Sequence, residues 1–262
     1  ASIKAGFGFA KYNNYLYVYG GDRTSDDKLI KVDLDTQSST TVLNSVMGFS
    51  SGADKGYHQI GNYLHLGELD KLVTVDLTNE TYSIHSASIT TLGGTKDHPA
   101  SYNGSDVYIY SKDGTTTEHT ITSLGWSPSK ISKSSTETNL YVANETNIAR
   151  INAETGTVVW NRSKPNQYIS SLLVEQGNLL LGSDNIKVYD SATGDQIESS
   201  PLKVVSDYST VLAFDQSNGE IYVSTRGNNA EISTKIHKYT YRVESQGVKV
   251  YDNGKWINHN HL

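Results

Sequence analysis

Cysteine is absent from this 262-residue chain, so disulfides, thiolate metal sites and cysteine nucleophiles are all excluded. Methionine occurs once and proline four times, and runs of helix-forming residues are few. No apolar run approaches the roughly 20 residues that a membrane-spanning helix needs, so we expect a soluble domain without membrane insertion. Stability must therefore come from a packed core, which a chain of this length can build.

Positive charge is also scarce, since the formal net charge is −6 and the isoelectric point is about 5.7. A protein that binds a phosphate backbone needs clustered Lys and Arg, so nucleic acid is not expected as a partner. The sequence lacks a P-loop, a dinucleotide-binding fingerprint, a Gly-x-Ser-x-Gly elbow, a His-Glu-x-x-His motif and an EF-hand loop. These absences favour a protein that is not an enzyme.

The chain is rich in tyrosine and glycine, with 18 and 22 residues, and in Ser, Thr, Asn and Val. That composition is typical of β-structure. A short strand with alternating apolar residues follows a turn and recurs six times, at intervals of about 40 residues, which is the period of propeller blades. The six copies are Asn14–Val18, Asn62–Leu66, Asp106–Ile109, Asn139–Val142, Asn178–Leu181 and Glu220–Val223.

In each copy two apolar residues lie two positions apart, which places them on one face of a strand. The repeat predicts one all-β domain over residues 1–262, a β-propeller of six four-stranded blades. Five or seven blades are the alternatives, because Val248–Asp252 can close the last blade or form an added module. The predicted blades are 2–46, 47–89, 90–124, 125–163, 164–203 and 204–262.

Two segments resemble known propeller repeats: Ile151–Trp160 is similar to the quinoprotein-like (PQQ-type) repeat, and Asn14–Gly21 is similar to a kelch repeat. The segment Gly247–Ile257 resembles short closing segments of phage tail and fibre proteins. The resemblance implies a propeller fold and, through the phage proteins, a receptor-binding domain in an assembly that is commonly trimeric. It implies neither an activity nor the PQQ cofactor, because such repeats occur in enzymes, scaffolds and adhesins alike.

Lysines that recur at one position of the repeat suggest a binding site. Four lysines each lie about ten residues before a copy of the repeated strand, and two tyrosines take comparable places in the last two copies. Propeller loops gather at one mouth of the central channel, so these residues would form a cationic, aromatic-edged funnel for an anionic glycan or another phosphorylated or carboxylated polymer. The alternative is that the lysines are ordinary edge charges that discourage strand pairing. The predicted funnel comprises Lys4, Lys55, Tyr57, His58, Lys96, Asp97, His98, Lys130, Tyr168 and Tyr208.

Metal sites have weaker support in the sequence. Five of the eight histidines lie between residues 58 and 119, but no pair has a spacing that directs both rings to one metal, so hydrogen-bonded or surface roles are favoured. We expect no cofactor. Loop carboxylates suit a hard cation, and the calcium candidates are Asp22, Asp26 and Asp27; the alternative is a solvated loop.

Three functions fit this reading. The first is a non-catalytic recognition domain, extracellular or on a virion surface, that binds a cell-surface carbohydrate or receptor and serves in host attachment. The second is a glycoside hydrolase or lyase whose carboxylates lie at the channel mouth, with Asp54, Asp97 and Asp207 as candidates. The third is a bacterial surface or periplasmic scaffold that binds proteins through an apolar patch.

Overall fold

The structure is a computed structural model, and it describes most of the chain. The described residues form 25 β-strands and no helix, so the prediction of an all-β protein is confirmed. Within them, accordingly, no helix is long and apolar enough to cross a membrane. The described ranges are 5–21, 28–44, 56–68, 70–165, 168–175, 177–182, 185–203, 211–215, 220–225, 235–244, 247–252 and 255–258.

The strands pair into antiparallel sheets, and the first three sheets have four strands each. Sheet 1 consists of β1 (Ala5–Tyr12), β2 (Tyr15–Gly21), β3 (Lys28–Asp33) and β4 (Ser39–Asn44). Sheet 2 consists of β5 (Tyr57–Ile60), β6 (Tyr63–Gly67), β7 (Lys71–Asp76) and β8 (Thr81–Ser86). Sheet 3 consists of β9 (Thr91–Gly94), β10 (Pro99–Asn103), β11 (Asp106–Tyr110) and β12 (Thr117–Ile121).

The remaining strands form three further antiparallel sheets, two of four strands and one of five. Sheet 4 consists of β13 (Lys130–Ile131), β14 (Asn139–Ala143), β15 (Asn147–Asn152) and β16 (Thr157–Ser163). Sheet 5 consists of β17 (Ser171–Glu175), β18 (Asn178–Gly182), β19 (Asn185–Asp190) and β20 (Gln196–Lys203). Sheet 6 consists of β21 (Val211–Asp215), β22 (Glu220–Thr225), β23 (Lys235–Glu244), β24 (Gly247–Asp252) and β25 (Lys255–Asn258).

The chain divides into two compact units. Unit 1 is Ala1–Gly125 with Ala153–Gly156, and unit 2 is Trp126–Asn152 with Thr157–Leu262. In unit 1, the apolar face of sheet 2 packs against sheet 1, so Leu64, Val73 and Val75 are buried with Tyr17 and Tyr19. In unit 2, a second core joins sheets 4 and 5 through the buried residues Tyr141, Ile148, Leu172, Leu179 and Tyr189.

The third copy of the repeated strand occupies a different position within its sheet from the other five copies. The repeated strand is the second strand of its sheet in sheets 1, 2, 4, 5 and 6, whereas Asp106–Tyr110 is the third strand of sheet 3. Second and third strands share the same apolar alternation, so a period of two does not distinguish them. The second strand of sheet 3 is Pro99–Asn103. The repeat pattern does not identify it, because its central residues Ala-Ser-Tyr include few aliphatic side chains.

The turn between the third and fourth strands recurs with one backbone geometry. Each such turn in sheets 1 to 5 has one residue at positive φ: Gln37, Glu80, Gly114, Gly156 and Gly194. Sheet 3 forms this turn from Ser111–Thr116 although it lacks the Asp-x-x-Thr-Gly pattern found in sheet 5. The hairpin between β11 and β12 is therefore present without that pattern.

Candidate functional site

In both units, a third-to-fourth-strand turn packs on the sheet that precedes it. In unit 1, the Tyr17 hydroxyl donates to the Leu77 carbonyl at 3.4 Å, and Lys31 Nζ pairs with Glu80 Oε1 at 2.6 Å. In unit 2, the Tyr141 hydroxyl donates to the Ser191 carbonyl at 3.3 Å. A long tyrosine in the second strand thus fills the junction with the next turn.

Sheet 2 has smaller side chains at the same positions. Tyr17, Tyr141 and His65 are each the third residue of a second strand, and they pair with Lys31, Arg150 and Thr74 respectively. Sheet 2 thus has a His–Thr pair where sheet 1 has a Tyr–Lys pair and sheet 4 has a Tyr–Arg pair. The shorter pair leaves room between sheet 2 and the Ser111–Thr116 turn.

That room is an open cleft of about 210 Å³ within unit 1. Alternation along β6, β7 and β8 places most of its lining on one face of sheet 2, opposite the face that packs on sheet 1. Tyr82 pairs with the buried Val75 and so belongs to the opposite face, and we assign its ring no contact with a ligand. The lining residues are Tyr63, Thr74, Asp76, Thr81, Tyr82, Ser83, Asp113 and Thr115.

His65 lies beneath this cleft and is completely buried. Its Nδ1 is hydrogen-bonded to Thr74 Oγ1 at 2.9 Å, while its Nε2 has no hydrogen-bond partner among the described residues. Burial lowers the His65 pKa to about 3, helped by His58 and opposed by Asp113 and the Lys112 backbone. The imidazole is therefore neutral at pH 7.

Gly114 allows the turn to approach this histidine. Its φ is +67°, and a Cβ at this position would overlap Thr74 Oγ1 and lie 3.2 Å from His65 Nδ1. Positive φ and the absence of a side chain are both required here. Thr74, which lines the cleft, is therefore held between His65 and Gly114.

Two carboxylates border the cleft in fixed orientations. Asp76 accepts hydrogen bonds on both oxygens: from Asn62 Nδ2 and Thr78 N on Oδ1, and from Asn79 Nδ2 on Oδ2. These donors stabilise the ionised form and lower the Asp76 pKa, with the Asn62 amide the largest cause. Asp76 is ionised at neutral pH, and both of its oxygens are engaged by the protein.

Asp113 differs because its hydrogen bonds all fall on one oxygen. Oδ1 accepts from Ser111 Oγ at 2.6 Å, from Thr115 N at 3.1 Å and from Thr115 Oγ1 at 2.9 Å. The Asp113 pKa is lowered, chiefly by the Ser111 hydroxyl. Among the described residues nothing bonds to Oδ2, so this ionised oxygen is oriented and open.

Tyr63 is the half-buried counterpart of a tyrosine that a lysine covers. Tyr15 holds the same first position in the second strand of sheet 1, and Lys31 Nζ lies 3.9 Å from the centre of its ring. In sheet 2 the residue equivalent to Lys31 is Thr74, and no described cation stacks on Tyr63, whose ring centre lies 6.4 Å from that of His65. The cleft therefore presents an aromatic ring beside hydroxyls and carboxylates.

The predicted funnel residues of unit 1 are placed around a different loop. His58 is buried and its Nε2 is hydrogen-bonded to the Thr95 carbonyl at 2.7 Å, which brings it beside the loop that carries Lys96, Asp97 and His98. Lys96 pairs with its neighbour Asp97 at 3.1 Å. Tyr57 packs instead against the core shared by sheets 1 and 2.

Unit 2 holds two more of the predicted residues. Lys130 is half-buried, and burial lowers its pKa. Tyr168 is 62% exposed. The other predicted site residues lie outside the described residues: Lys4, Lys55, Tyr208, the calcium candidates Asp22, Asp26 and Asp27, and the carboxylates Asp54 and Asp207.

The clustered histidines serve as hydrogen-bond partners. Within the described part of the chain, no three His, Asp or Glu side chains form a group that could hold a metal ion. Their bonds reach backbone carbonyls, threonine hydroxyls or a carboxylate. The pairs are His58–Thr95, His65–Thr74, His85–Thr117, His98–Glu118 and His119–Glu154.

No family model matches the chain, and no curated protein matches it. Solved structures are similar in fold. Sqt1 from Saccharomyces cerevisiae has 12% identity and a TM-score of 0.63 over 90% of this chain and 72% of that chain. A mitotic checkpoint complex gives 11% identity and a TM-score of 0.66, over 91% of this chain and 76% of that one.

KlHsv2, with its loop 6CD replaced by a Gly-Ser linker, has 9% identity and a TM-score of 0.68, over 92% of this chain and 82% of that chain. These neighbours are β-propellers of the WD40 kind. Identities this low show the fold alone. The chain is a β-propeller, and the fold predicted from the repeat is confirmed.

Proposed function

We propose that this propeller is a non-catalytic recognition domain that binds a cell-surface carbohydrate through the cleft on sheet 2. The observation that carries the proposal is the lining of that cleft. It combines the ring of Tyr63, the hydroxyls of Thr81 and Ser83, and the oriented carboxylate of Asp113. Sugars offer apolar ring faces and many hydroxyl donors, and few other ligands suit such a mixture in so small a space.

The state of the carboxylates favours binding over hydrolysis. A glycoside hydrolase needs one carboxyl group with a raised pKa to protonate the leaving oxygen. The pKa values of Asp76 and Asp113 are both lowered by hydrogen bonds to the ionised form, so neither carries a proton at neutral pH. Asp97, a candidate in the enzymatic hypothesis, is paired with Lys96.

The finer assignment rests on the sequence resemblance. We propose that the chain consists of kelch-like and PQQ-type repeats and forms a receptor-binding propeller of the kind found in phage tails and virion spikes. Such a domain would act outside the cell in host attachment. In such an assembly the chain would be a homotrimer. Light scattering of the purified chain tests that state, since a monomer at high concentration would contradict it.

A glycan array with the purified chain tests the proposed function. We expect retention of a defined set of glycans without change in their mass after prolonged incubation. Release of shorter products would contradict the non-catalytic assignment and support a hydrolase or lyase. Failure to retain any glycan would overturn the carbohydrate proposal and favour a scaffold that binds proteins.

A further inference from the structure

We infer that the cleft on sheet 2 selects an uncharged sugar unit and recognises its hydroxyl groups through Asp113 Oδ2. This inference rests on the proposed function and names the class of glycan. It replaces the anionic ligand that the lysine pattern predicts with a neutral one. Four features of the cleft support it: its charge, its open polar atoms, its tyrosine ring and its size.

The charge of the lining excludes an anionic ligand. Asp76 and Asp113 are ionised, and the lining contains no lysine or arginine. A sialic or uronic acid carboxylate would meet two like charges with no cation to offset them. A sugar hydroxyl is a donor, and a carboxylate is a strong acceptor for it, since charge-assisted hydrogen bonds are about twice as strong as neutral ones.

The polar atoms that remain open match a polyhydroxylated ligand. Asp113 Oδ2 and the hydroxyls of Tyr63, Thr81 and Ser83 make no hydrogen bond to another described residue. Asp113 is held by three bonds to its other oxygen, so a ligand would meet an acceptor already in place. A pre-oriented group loses little conformational entropy on binding.

The difference between equivalent tyrosines supplies an independent reason. In sheet 1 the ring of Tyr15 is covered by Lys31, while in sheet 2 the ring of Tyr63 has no such cover because Thr74 replaces the lysine. An uncovered ring beside hydroxyls suits the C–H face of a sugar. The cleft of about 210 Å³ is smaller than the roughly 300–1,000 Å³ of pockets for drug-sized ligands, so it fits a single sugar unit.

The test compares neutral and acidic glycans on the full chain and three variants. Asp113→Asn keeps Oδ1 as an acceptor for the turn but replaces Oδ2 with a donor. Asp33→Asn is the matched control, because Asp33 Oδ1 accepts from Asp35 N and Thr36 N in the equivalent turn of sheet 1. The probes are immobilised neutral hexose oligosaccharides and their sialylated or glucuronylated counterparts, with dissociation constants measured by biolayer interferometry.

We expect neutral oligosaccharides to bind, Asp113→Asn to weaken that binding by about 10- to 100-fold, and Asp33→Asn to leave it unchanged. Ser83→Ala, which removes a hydroxyl that has no hydrogen-bond partner among the described residues, should weaken binding about 3- to 10-fold and keeps the test open if Asp113→Asn unfolds. Preferred binding of acidic glycans would overturn the inference but not the proposed function. Neutral binding that is insensitive to both Asp113→Asn and Ser83→Ala would overturn the inference and the assignment of binding to this cleft, but not the recognition of a carbohydrate by the domain. Absence of binding to either class would overturn both.

Discussion

The junctions on either side of sheet 2 differ in how they are filled. Toward sheet 1, the turn of sheet 2 is bound by Tyr17 and Lys31, whose long side chains reach Leu77 and Glu80. On its other face, sheet 2 receives the Ser111–Thr116 turn over the short pair of His65 and Thr74. One junction is closed by cross-sheet bonds, and the other keeps a cleft. The two junctions differ at two repeated positions, where sheet 2 carries His65 and Thr74 and sheet 1 carries Tyr17 and Lys31.

The largest expected effect comes from placing a side chain at the close approach. Gly114→Ala would carry an alanine at φ +67° and overlap Thr74 Oγ1. We expect a loss of about 3 kcal/mol in the free energy of unfolding, from backbone strain and overpacking together. Urea denaturation measures it.

The matched control is Gly104→Ala, because Gly104 has a similar φ of +59° and nothing lies near its added Cβ. It should lose only about 1 kcal/mol, the backbone contribution. Equal losses for the two glycines would mean that the turn is not packed on sheet 2 as described.

The next effect is a pH dependence that originates at His65. Its pKa is about 3 in the folded protein and 6.5 in the unfolded chain, so between these values only the unfolded chain binds the proton. Stability is therefore complete above pH 6.5 and falls as the pH drops toward 3, by up to about 1.4 kcal/mol per pH unit. Urea denaturation at pH 7, 6 and 5 measures the slope.

Two variants isolate this histidine. His65→Asn keeps a donor or acceptor near Thr74 and should remove most of that slope, whatever it does to stability at pH 7. His85→Asn is the control, since His85 is only partly buried and bonds to Thr117. A slope that persists in His65→Asn would assign the pH dependence to another group.

A smaller effect is expected at the closed junction. Glu80→Gln removes the ion pair between Glu80 and Lys31. The side chains of Glu80 and Lys31 are 35% and 23% exposed, so water and salt screen much of their attraction. We expect a loss of about 0.5 kcal/mol at low salt. In 1 M NaCl the difference from wild type should nearly vanish. A loss of stability that does not depend on the salt concentration would mean that packing, not charge, links this turn to sheet 1.

The smallest effect on stability is expected at the open cleft. The Tyr63 hydroxyl makes no bond to another described residue, so Tyr63→Phe should change the free energy of unfolding by less than about 0.5 kcal/mol. Tyr17→Phe is the comparison, because its hydroxyl donates to the Leu77 carbonyl, and it should lose about 1 kcal/mol. Equal losses would contradict the contrast between the two junctions.

The fold could be predicted because its signal is local. Alternating pairs such as Leu64 and Leu66 mark a strand face within a few residues, and the period of about 40 residues marks a propeller. The error at Asp106–Tyr110 has the same origin, since alternation identifies a strand but not its order in the sheet. The aliphatic-poor strand β10 carried no signal of its own.

The cleft was not predicted, because its residues are far apart in the sequence. Tyr63, Thr74 and Asp113 come from two strands of sheet 2 and a turn of sheet 3. At the third-strand position that pairs with the third residue of the second strand, sheets 1 and 4 carry Lys31 and Arg150 and sheet 2 carries the shorter Thr74, so the residue at this position varies between copies. Lysines that recur before the repeated strand reflect what the copies share, whereas the cleft depends on residues that differ between copies.

The sequence alone determined the all-β class and the propeller repeat, because strand faces and turns depend on neighbours in the chain. It also determined that disulfides and thiolate metal sites are absent. Only the tertiary structure decided that His65 is buried and neutral, that Gly114 lies against Thr74, and that Asp113 keeps one oxygen open. Burial and hydrogen bonding between separate sheets set these properties, and they depend on which residues the fold brings together.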